Sequence, residues 1–311
     1  MDLTAENSSG AADGAIGGAS GAEVRLRRVA QPEIIADDLL SNPRYRVYTF
    51  HSDALGGDRP VLVYLPPGYD ENPAIRYPVM FLHDGQNVFD GRTSYVANCT
   101  WQAHTTADRL TEAGVLEPLI LVAVANAGIG RMAEYTPTPD VRLGGGLGPA
   151  YGRMLVEELK PAVDALFRTL PGAENTGVGG SSLGGLISLA LGFWYPGVFG
   201  KLAVMSPSIW WNRGSILRLV ARTEPRPEVK IWMDMGTAEG VRHLHDADVL
   251  ASLLEDRGWT EGVNLRYERV DGAVHDEGAW ARRLGDVLTF LFPLRPATAD
   301  GVAETAAFPH T

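Results

Sequence analysis

The sequence predicts an α/β protein, with a mostly parallel central β-sheet flanked by helices on both faces and an antiparallel hairpin at its start. Three observations carry that prediction. First, "YRVYTF" (45–50) and "PVLVYL" (60–65) are β-rich runs joined through a Gly-Gly-Asp turn at 56–58, a hairpin signal. Second, short continuous apolar runs recur, as strands buried on both faces of a parallel sheet require. Third, helical patterns fall between those runs, and helices in that position cover such a sheet from both sides.

In chain order, "LPPGYD" ends the hairpin with prolines, and "YPVMFLHDG" (77–85) is the first buried strand. "WQAHTTADRLTEAG" (101–114) reads as a helix with a glycine stop, and "PLILVAV" (118–124) as the next strand. "AYGRMLVEELKPAVDALFRTL" (150–170) is a long helical pattern that Pro161 is expected to kink or break. "ENTGVGG" (174–180) is a poor strand by propensity, but the following "LGGLISLALGFWY" is apolar on nearly every face, as a helix buried in a three-layer protein should be. Strands at "KLAVMS" (201–206), "VKIWMDMG" (229–236) and "NLRYERV" (264–270) follow, with helices expected near 246–257 and 277–291. The sequence divides into a Gly/Ala/Ser-rich leader (1–22), one domain (23–294) and a flexible tail (295–311), without repeats.

Composition narrows the function classes. The chain has 311 residues and a formal net charge of -11, which argues against nucleic acid or an anionic membrane as partner. A small-molecule substrate fits better, and the sequence leaves homo-oligomerisation open. One cysteine, Cys99, permits no intrachain disulfide and reads as a half-buried small side chain. The start of the chain lacks the charged and apolar parts of a signal peptide, and no segment approaches a membrane span, so a cytoplasmic location is expected.

The chemistry gathers around "GVGGSSLGG", where Gly180, Ser182 and Gly184 form G-x-S-x-G between a strand and a helix. A serine on so sharp a turn is strained, and glycines keep neighbouring side chains from colliding with the adjacent strand and helix. A serine hydroxyl needs a base, normally histidine oriented by a carboxylate. Of the histidines after Ser182, His310 sits in the tail, and His243 and His245 sit where the next helix begins. His275, in the loop after the last strand, is the candidate base. Glu239, in "GTAEG" after a strand, is preferred as the acid over Asp234, which lies inside that strand. An oxyanion hole would combine the N–H of Leu183 with that of Gln86 or Gly85, in the loop "HDGQNVFDG". His83 and Asp84 would shape that loop without acting chemically. Trp101, Trp210 and Trp211 lie near the expected cleft and would either stack on substrate or pack the helical cap.

Two further patterns carry less. "HLHDAD" (243–248) is similar to the H-x-H-x-D-H run of binuclear metal hydrolases, but Ala247 stands where the aspartate is needed and Asp248 where the histidine is. "LGGGLG" (143–148) follows no strand, so it reads as a flexible loop near the cleft and not a phosphate cradle.

With these residues placed, the chain resembles the "Putative esterase" family of the α/β-hydrolase superfamily, from about Tyr45 to Pro293. "VLVYLPPGYD", "FLHDGQNVFD", "GRMAEYTP", "VEELKP", "GGSSLGG", "GTAEG" and "HDEGAW" carry the likeness, which is greatest to the enterochelin esterase-like branch. The resemblance implies an α/β-hydrolase fold and a serine carboxylic ester hydrolase without metal or organic cofactor. It also implies Ser182 as nucleophile, His275 as base and Glu239 as acid, the last being weakened or missing in some siderophore esterases. Arg131 and Glu134 would bind substrate or form an ion pair fixing their loop. The rival functions are an acyltransferase using the same triad and a noncatalytic binding protein on the same scaffold.

Overall fold

The structure is a computed structural model describing residues 25–29, 39 and 41–295. The expected leader lies outside those residues, as does all of the expected tail except Arg295. Nine strands form one sheet: β1 (Leu26–Arg28), β2 (Tyr45–Ser52), β3 (Gly57–Tyr64), β4 (Val79–Leu82), β5 (Ile120–Val124), β6 (Thr176–Ser181), β7 (Lys201–Met205), β8 (Lys230–Gly236) and β9 (Leu265–Val270). Their order across the sheet is β1-β2-β3-β5-β4-β6-β7-β8-β9. The pairs β1·β2, β2·β3 and β3·β5 are antiparallel, and the other five are parallel. The expected hairpin is the β2–β3 pair, in register from Tyr45↔Tyr64 to Ser52↔Gly57.

Alternation along the strands divides the core between the two faces. Val61, Val63, Val79 and Phe81 join the core on one face, while Leu62, Tyr64, Met80 and Leu82 join the core on the other. Helices α1 (Ala103–Glu112) and α8 (Glu277–Leu291) cover the second face. The first is covered by a longer set. It comprises the short α2 (Arg131–Glu134), α3 (Gly148–Arg153), α4 (Lys160–Leu166), α5 (Leu183–Trp194), α6 (Ser215–Arg222) and α7 (Val241–Asp256).

The poor propensity of β6 has a packing explanation. A Cβ on Gly177 would lie 2.6 Å from Met80 Sδ, and one on Gly179 would lie 2.5 Å from Ala203 Cβ. Neighbouring side chains fill the space that β6 vacates, so tertiary contact overrides propensity.

Three expectations are corrected. Pro161 does not break the helix: a π-helical stretch, Met154–Leu159, joins α3 to α4, and Pro161 occupies the first turn of α4. The wider turns fall where the proline ring would otherwise meet the carbonyl of the preceding turn. This helical run stops at Leu166 and not Leu170, because Phe167 is extended and Thr169 bridges to Tyr77. The helix expected from 246 starts at Val241, where Gly240 at φ 115° turns the chain directly into it.

Candidate active site

Ser182, Glu239, His275 and the turn 83–87 each follow the carboxyl end of a strand, the edge at which α/β sheets place their ligands. Ser181 ends β6, and Ser182 stands between it and α5 at φ 60°, ψ -121°. That conformation is sparsely populated for a residue with a Cβ, and the surrounding backbone holds it there. The Ser182 N–H donates to Met205 O at 3.0 Å, and its carbonyl accepts from Leu186 and Ser208 N–H, both at 3.0 Å. Of the three glycines around it, Gly185 has the least room: its Cβ would sit 2.8 Å from Met205 O. A Cβ on Gly180 would be 3.1 Å from Gly184 and His83, whereas one on Gly184 would make ordinary contact at 3.4 Å. The collision expected of all three thus applies fully at Gly185, in part at Gly180 and not at Gly184.

Glu239 and His275 meet although 36 residues separate them, with Glu239 Oε2 2.6 Å from His275 Nδ1. The close approach of their loops depends on Gly236, whose Cβ would fall 2.2 Å from Ala273 O and 2.7 Å from Glu239 Oε1. The Glu239 side chain is buried, while that of His275 is 45% exposed and meets Trp280 edge-on at 4.9 Å. Burial opposes ionisation of Glu239. Bonds from His275, from Ser206 Oγ (2.7 Å) and from Gly236 N–H (2.9 Å) outweigh it and hold the carboxyl below its ordinary range.

Asp234 points elsewhere. It is fully buried, accepts from Trp232 Nε1 and Ser206 N–H, and pairs with Arg283 Nη2 at 3.0 Å. Burial pushes its carboxyl up to about 6, against the pull of Arg283 and the two hydrogen bonds. Of the two carboxylates weighed from sequence, the structure sets Glu239 against His275 and turns Asp234 toward Arg283.

On the other flank lies the turn 83–87. A Cβ on Gly85 would come within 2.6 Å of the Ala123 carbonyl carbon, so only glycine lets this turn lie on β5. Gln86 is held at both ends, its carbonyl accepting from Thr93 Oγ1 at 2.6 Å and its Oε1 from Asn126 N–H at 3.3 Å. Asp84, at φ 54°, is clamped by Arg131 Nε and Nη2, each at 2.7 Å, and its N–H donates to Tyr135 Oη. Arg131 is therefore ion-paired, but with Asp84 and not Glu134. Glu134 makes a buried two-pronged pair with Arg59 at 2.8 and 2.9 Å. His83 is buried, with Nδ1 2.9 Å from Tyr151 Oη, and burial pushes its pKa down to about 4.

Two clefts meet at Ser182 and His275. One, of about 280 Å³, is lined by Gln86, Asn126, Arg131, Glu277 and Trp280 among others. The other, of about 240 Å³, includes Ser206, Ser208, Trp210, Met235 and His243. In the second cleft Ser182 Oγ lies 3.3 Å from Ser208 Oγ. Trp210 is 38% exposed on that wall, but Trp101 and Trp211 are core residues and line neither cleft. Trp101 packs on Trp280, and Trp211 donates to Thr138 O. At these two positions the bulk that suggested substrate stacking packs the core.

The remaining patterns resolve into structure. "LGGGLG" is a packed loop: Cβ atoms on Gly145 and Gly146 would strike Thr136 and Pro139. Asp248 of "HLHDAD" pairs with Arg269. Sequence reading passed over Ser206, Ser208, Trp280 and Arg283. The first two were legible from "KLAVMSPS", a strand followed by hydroxyls where ligands gather. The last two sit on a helix and show no such signal.

A sheet of this order, with a strained serine after β6 and a histidine–carboxylate pair after β9 and β8, defines an α/β-hydrolase. Within that class the Putative esterase family model matches residues 52–291, and the chain belongs to that family of carboxylic ester hydrolases. It is 26% identical over 255 residues to the uncharacterized protein YbbA of Bacillus subtilis, covering 78% of this chain and 95% of that one. Its fold is similar to an IroE-like serine hydrolase from Shewanella oneidensis, with a TM-score of 0.67, 20% identity and 80% of each chain covered. It is similar also to the enterobactin esterase FES from Shigella flexneri, with a TM-score of 0.62 and 21% identity. That match covers 84% of this chain and 61% of the other. No helix among the described residues is long and apolar enough to cross a membrane.

Proposed function

We propose that this esterase works by a two-step acyl-enzyme mechanism in which Ser182 is the nucleophile, His275 the general base and Glu239 the acid that orients it. The observation that carries this reading is the 2.6 Å bond between His275 and Glu239, whose histidine shares both clefts with the strained Ser182. In the first step the Ser182 hydroxyl turns from Ser208 and gives its proton to His275 Nε2 as Oγ attacks the ester carbonyl. The N–H of Leu183 is one of the unpaired donors at the start of α5, and with the N–H of Gln86 it would hold the oxyanion. The imidazolium then protonates the leaving alcohol. In the second step His275 activates water, which releases the acid and restores Ser182.

The enterobactin esterase and the IroE-like hydrolase support an enterochelin esterase-like assignment, with a small-molecule ester as substrate. A chromogenic short-chain ester tests the mechanism. Ser182→Ala should lower kcat by roughly four to six orders of magnitude, and His275→Ala by a similar factor. Equal turnover by wild type and Ser182→Ala would refute the nucleophile. An added acceptor alcohol should leave the rate of acid release unchanged, and diversion of the acyl group to it would instead identify a transferase.

A further inference from the structure

We propose that Ser206 is a positioning residue whose hydroxyl holds Oε1 of Glu239 and so orients the carboxylate that faces His275. The proposal rests on the triad reading above.

Ser206 follows β7 and is buried, with its backbone at φ 41°. Its N–H is bonded to the carbonyl of Asp234 at 3.0 Å and to Oδ1 at 3.1 Å, and these bonds lock the position of its side chain. Three groups surround its Oγ: Glu239 Oε1 at 2.7 Å, Trp280 Nε1 at 3.0 Å and Arg283 Nη2 at 2.7 Å. An indole N–H and a guanidinium N–H can only donate, and a hydroxyl has two lone pairs and one proton. Trp280 and Arg283 fill the lone pairs. The one proton of Ser206 therefore points at Glu239.

The consequence passes along the chain of bonds. Oε1 of Glu239 receives Ser206 and the Gly236 N–H, so it acts purely as an acceptor. With Oε1 held there, Oε2 is aimed at His275 and accepts from it, which places the imidazole proton on Nδ1 and leaves the Nε2 lone pair for Ser182. Trp280 reaches the same imidazole a second way, through its edge contact with His275. Among the described residues, Nε and Nη1 of the buried Arg283 have no hydrogen-bond partner. A buried guanidinium with two idle donors is a poor device for stability alone. Its one engaged nitrogen bridges Ser206 and Asp234.

The charged and titratable groups facing His275 and Glu239 are Asp234, Arg283, His243, Asp276, Glu277 and, across the cleft, the Asp84–Arg131 pair. No charge among them is added or removed when Ser206 alone is changed, so a displaced pH profile reports the loss of the hydroxyl and its bonds.

Ser206→Ala and Ser206→Gly make the test. Both remove the hydroxyl and its bonds, and glycine also relieves the positive φ, so Ser206→Gly should lose less Tm than Ser206→Ala. Each should lower kcat roughly ten- to a hundredfold, with KM changed by less than about twofold. Glu239 with one donor fewer is the stronger partner of the imidazolium, so the acid limb of kcat/KM should move to higher pH. The low-field proton resonance that His275→Ala abolishes should shift as well. A folded Ser206→Gly with kcat within about twofold of wild type and an unmoved acid limb overturns the proposal. Failure of the triad reading would look different, because wild type and Ser182→Ala would then hydrolyse the ester alike.

Discussion

Ser182 pairs an unfavourable backbone conformation with a position on the walls of two clefts. The residues holding it are legible in sequence as a motif, but their individual tolerances are not. Gly184 completes G-x-S-x-G, yet Gly184→Ala should retain more than about half the wild-type activity, because the added methyl meets only ordinary contacts. Gly185→Ala forces the added methyl against Met205 O and should cost roughly 1–3 kcal/mol of stability, read as a lower urea midpoint. At the acid, Glu239→Gln replaces an acceptor-only group with one that also donates. It should reduce kcat by up to about 10⁴-fold while Tm stays close to wild type. The placement of Glu239, His275 and Ser182 after strands was readable because loop position follows from strand order. The burial of Trp101 and Trp211 was not, since burial depends on which chain segments fold back over them.

The turn after β4 shows how an element can be built to hold still. Gly85 presses against β5, Asp84 is clamped by Arg131, and below them the Arg59–Glu134 pair ties β3 to α2. In sequence, "HDGQN" reads as a loop shaped by His83 and Asp84, and "GRMAEYTP" leaves Arg131 and Glu134 either to bind substrate or to form an ion pair. The partners could not be read, because β3 and β5 become neighbours only when the sheet forms. Glu134→Ala leaves the Arg59 guanidinium buried and unpaired, and should destabilise the protein by about 3–5 kcal/mol in urea denaturation. Strand β6 teaches a complementary lesson. Its glycines look like weakness in isolation and turn out to be room for Met80 and Phe292.

Across the whole molecule, two buried groups shape the acid stability in opposite senses. His83 is neutral in the fold, its pKa pushed down to about 4 from 6.5, so the unfolded chain binds its proton first. Stability from His83 is complete above about pH 6.5 and is lost as pH falls toward 4, on the order of 3 kcal/mol. Asp234, pushed up to about 6 from 3.8, does the reverse: its contribution is complete below about pH 4 and is lost as pH rises through 6. The two largely offset one another between pH 4 and 6. Asp234→Asn costs one acceptor, since Trp232 Nε1 and the Ser206 N–H bond different carboxylate oxygens, but it removes the second slope. Its Tm should therefore fall more steeply than that of wild type between pH 6.5 and 4, as followed by circular dichroism.

The loops that carry the candidate groups come from six different strands, β4 to β9, which are adjacent only in the finished sheet. Ester turnover is in effect a coincidence detector for completed assembly. A partly folded chain with its helices and hairpin in place would have no working site, since sliding any one of those strands by a residue misplaces its group by about 3.3 Å. Recovery of activity during refolding should accordingly lag behind recovery of secondary structure, and a single ester assay can report on the register of more than half the sheet.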